Sequence, residues 1–387
     1  MKKILQIINL AYPFRGGMNR VAEDIMHALI GREDILQKII CFNDDVQDNG
    51  ISTHRHETVH DELEGVEVVR CASAAKISSQ LISLTFHREL ARLMNDFSPD
   101  IVILHYPNPF AAYMLLPLLE KKKEAKFILY WHLDIVRQKI LGRLFHRQNI
   151  KLLDRADAVV ATSRNYIQGS RYLSQYENKC TVIPCCVQTD RILITPEIQR
   201  MAENIRNEYQ GKTISVSVGR LVPYKGFEYL IKASEYLADD FAVLIAGGGE
   251  GYAKLQKQIG GSKKVKLLGK ISDEELSAYY LASDIISFPS ITKNEAFGIS
   301  LVEGMYFGKP AVTFTIPGSG VNYVSINGVT GIECPNRDVK AFADALMRLK
   351  NEEELRSTLG CNARQRVLDN FLYSTFKENI INLIDKL

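Results

Sequence analysis

Thr213-Ile214-Ser215-Val216-Ser217-Val218-Gly219-Arg220-Leu221-Val222-Pro223-Tyr224-Lys225-Gly226 is a β-branched run that ends on a glycine and enters a basic loop. A run of this length bounded by turn residues reads as a buried strand feeding a helix, here the helical pattern at 227–237. Its position matters as much as its pattern, because it restarts a rhythm that has already run once. In the first half, strand candidates at 4–9, 37–42, 66–70, 101–105, 127–131, 158–162 and 180–183 alternate with helical periodicity, as at 18–30 and 85–97. The second half continues with strands at 213–219, 242–246, 265–268, 285–288, 310–315 and 331–333. Helices at 252–260, 273–282, 299–307 and 339–349 lie between them. Alternation of this kind predicts α/β architecture, with parallel sheets joined by crossover helices.

The rhythm breaks across 184–211, where Pro184, Thr189-Asp190 and a polar helix-like stretch intervene. At 387 residues the chain also exceeds a single ordinary core. Two doubly wound, Rossmann-like domains facing across a cleft follow, with ligands expected outside the carboxyl ends of the strands. A hydrophobic fraction of 46% and a charged fraction of 24% describe a globular chain, and a formal net charge of +3 gives no reason to expect nucleic acid as a partner. The seven cysteines show no metal-ligand spacing, so reduced thiols are expected. The apolar start at 4–10 reads as a buried first strand rather than a secretory signal. No apolar run approaches the roughly 20 residues of a membrane span, which predicts a cytoplasmic protein, peripheral on the membrane at most.

Chemistry is concentrated at the strand-to-helix loops. Arg220 and Lys225 lie five positions apart on the first loop of the second half, where a fork and a point charge would clamp a diphosphate and stabilise it as a leaving group. A solvated turn with two basic residues is the competing reading. Further on, Asn294-Glu295-Ala296-Phe297-Gly298-Ile299-Ser300-Leu301-Val302-Glu303 sets two carboxylates eight positions apart across a helix start near Gly298. Eight residues are close to two helical turns, so Glu303 points inward on the helix while Glu295 stands at its mouth. Free N–H groups there suit a phosphate, and carboxylates suit sugar hydroxyls.

The glycine run Gly247-Gly248-Gly249-Glu250-Gly251-Tyr252 puts tyrosine where a dinucleotide fingerprint needs its third glycine, and no acidic residue closes the next strand. It reads as a close-approach turn beside a ligand, with Gly248 at its centre. Lys270 and Ile271 then present backbone groups to a nucleobase, while Ser272 or Asp273 serves as an ordinary helix cap. In the first half, Gly16-Gly17 after strand one allows backbone to approach a phosphate or sugar. His132 follows a strand ending in Trp131, as a hydrogen-bonding or acid/base group or as a structural histidine. His54, His56 and His60 invite a metal reading, but their surroundings look like an exposed loop. With no acidic DxD element either, neither a metal nor any other cofactor is expected.

These segments taken in order resemble the retaining glycosyltransferases of family 4, with the GT-B fold, over nearly the whole chain. The carriers are Glu295 and Glu303, Gly16-Gly17, Arg220, Lys225 and the block Pro317-Gly318-Ser319-Gly320. The resemblance implies that Glu303 binds ribose hydroxyls and that Glu295 contacts the donor sugar. It places Phe297, Gly298 and Ile299 near sugar and diphosphate, Arg220 and Lys225 on the diphosphate, and His132 near the donor sugar. It divides the chain into a domain at 1–190 and a nucleotide-sugar domain at 191–369, with a final helix at 370–387 returning to the first.

The segment 131–139 and the block 318–321 further resemble enzymes that build bacterial surface polysaccharides. That likeness implies a nucleoside-diphosphate sugar as donor and a polyprenyl-diphosphate-linked glycan as acceptor. The basic, leucine-bearing stretch 137–147 fits contact with an anionic membrane on the inner face of the cell membrane, each basic residue contributing about 1 kcal/mol there. A UDP-linked hexose or N-acetylhexosamine is favoured over GDP-mannose. A nucleotide-sugar epimerase of the same shape and a non-catalytic assembly partner are the alternatives.

Overall fold

The computed structural model describes residues 1–14, 16–48, 51–77, 80–135 and 142–387. The chain divides into two compact units. One comprises Met1–Thr162, Ser170–Ile183 and Lys377–Leu387; the other comprises Ser163–Gly169 and Pro184–Phe376. The division differs in detail from cuts at 190 and 369. The short helix Arg164–Gly169 groups with the second unit because Gly169 meets Gly318 backbone to backbone, where a Cβ at Gly169 would stand 2.2 Å from the Gly318 Cα. The final helix, Tyr373–Lys386, is divided at Phe376, and its last residues are tied to the first unit. Lys2 Nζ donates to the Ile384 carbonyl at 2.7 Å, and Arg32 pairs with Asp385.

In the first unit the strands are β1 (Lys2–Ile7), β2 (Ile35–Phe42), β3 (Val46–Asp48), β4 (Ile51–Thr53), β5 (Val59–Leu63), β6 (Val66–Cys71), β7 (Ala75–Ile77), β8 (Gln80–Ile82), β9 (Ile101–Tyr106), β10 (Lys126–Trp131), β11 (Ala158–Ala161) and β12 (Cys180–Val182). Eight of them form one sheet in the order β12-β11-β10-β9-β1-β2-β6-β5. All neighbours are parallel except β5, which runs antiparallel to β6 at the edge. The order reverses between β1 and β9, the point where ligands gather in such sheets. Buried apolar runs such as residues 101–104 of β9 follow from helices covering both faces.

Five strands were not legible in the alternation: β3, β4, β5, β7 and β8. Four of them form two-stranded ribbons of three residues each, and β5 is a polar edge strand reading Val-His-Asp-Glu-Leu. His60, expected in a loop, lies on that edge. The helix expected at 85–97 is an α-helix only over Phe86–Arg92; it widens over Leu93–Phe97 and stops at Ser98, whose φ is +48°.

The second unit carries β13 (Thr213–Val218), β14 (Phe241–Ala246), β15 (Val265–Gly269), β16 (Ile285–Phe288), β17 (Ala311–Phe314) and β18 (Gly331–Cys334). They form one parallel sheet in the order β15-β14-β13-β16-β17-β18, which reverses between β13 and β16. Buried Phe241, Leu244, Phe314 and Phe342 belong to its core. All seven cysteines of the protein are thiols. No helix among the described residues is long and apolar enough to cross a membrane.

Candidate functional site

The loops leaving β13 and β16 meet at the reversal point of the second sheet, and each delivers one charge to it. After β13 the chain makes a single 3-10 turn, Pro223–Lys225, and reverses at Gly226 with φ +69°. A Cβ there would also stand 2.0 Å from the Pro289 carbonyl, so glycine is required twice over. Gly219 leaves room for the Lys225 stem, whose Cε would lie 3.3 Å from a Cβ at that position. Lys225 thereby crosses to the neighbouring loop. Its Nζ pairs with Glu295 Oε2 at 2.5 Å and lies 5.2 Å from the centre of the Phe288 ring. The Ser290 hydroxyl donates to the same carboxylate oxygen at 2.9 Å. Both members of the pair are nearly buried, with side chains 12% and 10% exposed.

The Glu295 loop is held from behind. Ser319, fully buried, donates its hydroxyl to the Glu295 carbonyl, and the Gly320 N–H donates to the Ala296 carbonyl at 3.1 Å. A Cβ at Gly320 would lie 2.1 Å from that carbonyl oxygen. Past the loop, Gly298 caps the helix Ile299–Tyr306 in the left-handed region at φ +102°. The Ser300 hydroxyl anchors the helix start to the Val218 carbonyl at the end of β13. Phe297 is buried edge-on against Phe371. Ile299 is half-buried on the first turn. Glu303 is buried on the inward face, where the Tyr280 hydroxyl lies 3.4 Å from its Oε2. Glu295 and Glu303 thus stand at the mouth and on the inner face of one helix.

Arg220 is exposed on the same loop as Lys225, with its guanidinium 3.4 Å from the Tyr224 hydroxyl. The glycine run after β14 has a different neighbour from the one its pattern suggests. Backbone of the β13 loop fills the space beside Gly247, Gly249 and Gly251: Leu221 N–H donates to the Gly248 carbonyl and Gly251 N–H to the Leu221 carbonyl, both at 2.9 Å. Loop-on-loop packing accounts for those three glycines without a ligand. At Gly248 the neighbour is the flexible stem of Lys270, which is exposed beside half-buried Ile271. Ser272 forms a complete capping box with Glu275, so its role is that of a helix cap.

In the first unit, Gly16 caps the helix Gly17–Leu29 in an extended conformation, and nothing lies within 4 Å of a Cβ placed there. His132 follows β10, and its Nε2 lies 2.9 Å from His105 Nδ1. Burial pushes its pKa down to about 3, so the ring is neutral at physiological pH. A neutral ring favours the hydrogen-bonding alternative for His132 over the acid one. The neighbouring Asp134 is structural, accepting from Trp131 Nε1 at 3.0 Å and from the Ser170 hydroxyl at 2.8 Å. His54, His56 and His60 are exposed, and no cluster of three metal-ligating side chains occurs among the described residues. Of the basic stretch 137–147, Arg137 to Leu141 lie outside the described residues; the helix Gly142–Arg155 carries the remainder.

Sequence reasoning missed Ser290, Ser319, His105 and Gln6. Ser319 lies within a block already singled out; the others sit at strand ends with no local signal.

Residues 15–191 match the Glycosyltransferase Family 4 model, and residues 199–366 match that of the glycosyl transferases group 1. The D-rhamnosyltransferase WbpZ of Pseudomonas aeruginosa is 33% identical over 296 residues, 76% of this chain and 75% of that one. The chain belongs to glycosyltransferase family 4. The O-antigen chain mannosyltransferase C of Escherichia coli is 27% identical over 384 residues, 98% of this chain and 97% of that protein. Among solved structures, sucrose-phosphate synthase from Thermosynechococcus elongatus superposes with a TM-score of 0.79 at 18% identity, over 100% of this chain and 99% of that one. Anabaena HepE in complex with UDP and glucose gives 0.77 at 18% identity, with both chains fully covered. At these identities the likeness shows the fold, which for this family 4 glycosyltransferase is GT-B.

Proposed function

We propose that this glycosyltransferase moves a hexosyl unit from a nucleoside-diphosphate sugar to a hydroxyl of a lipid-linked glycan, in the assembly of an O-antigen-type surface polysaccharide. The observation that carries the reading is the Lys225–Glu295 pair at the start of the helix that bears Glu303. It joins a cation for a diphosphate, a carboxylate for a sugar and a second carboxylate for a ribose on adjacent loops. Arg220, exposed and with no carboxylate at bonding distance among the described residues, adds the second positive charge. The two basic residues supply the charge that a metal would otherwise bring to the leaving diphosphate.

Transfer with retention of configuration is proposed as a same-face substitution. The bond from the anomeric carbon to the phosphate oxygen breaks, the bond to the acceptor oxygen forms, and the acceptor proton passes to the departing phosphate. Glu295 serves as a sugar-hydroxyl ligand in this scheme. Its Oε2 already receives Lys225 and Ser290, which stabilises charge on that oxygen and weakens it as a nucleophile. His132 contributes as a neutral hydrogen-bonding group to a sugar hydroxyl.

For the donor, the relatives' names favour the manno configuration, since D-rhamnose is 6-deoxymannose. GDP-mannose is accordingly placed ahead of the UDP-linked hexoses that the sequence favoured. A thermal-shift screen of the full-length protein against GDP, UDP and their sugars tests the assignment. Stabilisation by GDP and GDP-mannose but not by UDP-glucose or UDP-N-acetylglucosamine supports it, and the converse pattern overturns it.

A further inference from the structure

A line of buried polar side chains runs across the reversal point of the first sheet, and the transfer chemistry above makes no use of two of its members. Gln6 on β1 and His105 on β9 are fully buried, and His132 after β10 is 7% exposed. Gln6 Oε1 lies 3.1 Å from His105 Nε2, and His105 Nδ1 lies 2.9 Å from His132 Nε2. The backbone N–H of His132 donates to the Tyr106 carbonyl at 2.9 Å, which holds the residue at the end of β10. The three rings of Tyr130, His105 and His132 stack, with centroids 4.8 to 5.4 Å apart, which sets the plane of each imidazole. A structural hydrogen bond alone would require neither three partners in series nor an orienting stack.

With the Gln6 amide oxygen facing His105, each donor and acceptor along this line follows in turn. An amide oxygen only accepts, so His105 Nε2 must carry the proton that meets Gln6. Burial keeps His105 neutral, far below its usual pKa. Its other nitrogen, Nδ1, is then a lone pair, and His132 Nε2 must donate to it. His132 is neutral too, so its Nδ1 is left as a lone pair, with no hydrogen-bond partner among the described residues. A Gln6 amide turned end for end would reverse every bond in the series and leave His132 Nδ1 as a donor.

We propose that Gln6 and His105 are positioning residues that lock His132 in the Nε2–H tautomer, so that its Nδ1 accepts a hydrogen bond from a sugar hydroxyl. This rests on the reading of His132 as a sugar contact. It makes His132 selective for a hydroxyl that donates, in contrast to one that is only tolerated sterically.

The full-length protein labelled with ¹⁵N-histidine tests it directly, with His132→Gln used to assign the resonances. The wild-type spectrum is expected to show a pyrrole-like Nε2 and a pyridine-like Nδ1 at His132 from pH 8 down to pH 5.5. A protonated Nδ1 overturns the proposal. Gln6→Leu is expected to release the tautomer and raise the donor KM about tenfold, the effect of one hydrogen bond, with kcat changed less. Gln6→Glu, which keeps an acceptor facing His105 Nε2, is expected to restore the wild-type tautomer and KM. A wild-type tautomer in Gln6→Leu also overturns the proposal. If His132→Gln transfers sugar at the wild-type rate and KM, the sugar contact falls while the spectral result stands. If His132→Gln is crippled while Nδ1 is protonated, the proposed function stands and this inference falls.

Discussion

Replacing Lys225 by methionine removes the cation 2.5 Å from Glu295 Oε2 and leaves a nearly buried carboxylate with Ser290 as its remaining donor to that oxygen. An exposed pair would contribute roughly 0–1 kcal/mol, whereas breaking a buried one costs about 3–5 kcal/mol. At 12% and 10% side-chain exposure the pair belongs near the buried limit. The Ser290 bond offsets part of the loss, so a destabilisation of about 3 kcal/mol is expected for Lys225→Met. In a domain of this size that corresponds to a fall in melting temperature of roughly 6–12 °C. Glu295→Gln should be milder, because an amide still accepts from Ser290 while Lys225 loses its partner. The double variant should recover at least about 1.5 kcal/mol of the summed losses, because neither charge is then left alone. Calorimetric melts of the four proteins measure the cycle. Losses that add to within about 0.5 kcal/mol would show that the two side chains do not interact in solution and would refute the reasoning.

Gly226→Ala should lower stability by about 2–4 kcal/mol in urea melts and reduce transfer, since it forces a side chain into a left-handed turn against the Pro289 carbonyl; near-wild-type behaviour would remove the steric argument. Ser319→Ala should cost about 1–2 kcal/mol and lower kcat/KM about ten- to hundredfold through the Glu295 loop, with Ser319→Thr intermediate. The pH dependence of stability follows from His132. Its folded pKa lies below the unfolded value of about 6.5, so the unfolded chain binds the proton first as pH falls. Stability is complete above about pH 6.5 and is lost towards pH 3, at up to about 1.4 kcal/mol per pH unit. Urea titrations at pH 7 and pH 5 should therefore show a smaller drop in His132→Gln than in the wild type.

The sheets were legible because their strands are apolar on both faces. β14 reads Phe-Ala-Val-Leu-Ile-Ala with every residue buried, and only a strand between helix layers has that composition at that length. β5 was not legible, because an edge strand with water on one side needs no apolar run. In the site, Lys225 and Glu295 could be named from their loops, but their pairing could not. It depends on the register that sets β13 beside β16 and on Gly219 clearing a path for the lysine stem. The backbone neighbour of Gly247, Gly249 and Gly251 was hidden for the same reason, since it belongs to another loop, the one after β13. Gln6 and His105 sit on strands nearly a hundred residues apart, and only the β1–β9 pairing makes them neighbours.

The most direct test of the account is the stereochemistry and donor dependence of the transferred linkage. The purified full-length protein would be incubated with GDP-mannose and, separately, UDP-sugars, in the presence of a synthetic polyprenyl-diphosphate glycan, and the product analysed by NMR. The account predicts an α-linked mannosyl product from the α-linked donor, lost in Glu295→Gln and Lys225→Met. A β-linked product, or undiminished transfer by both variants, would contradict it.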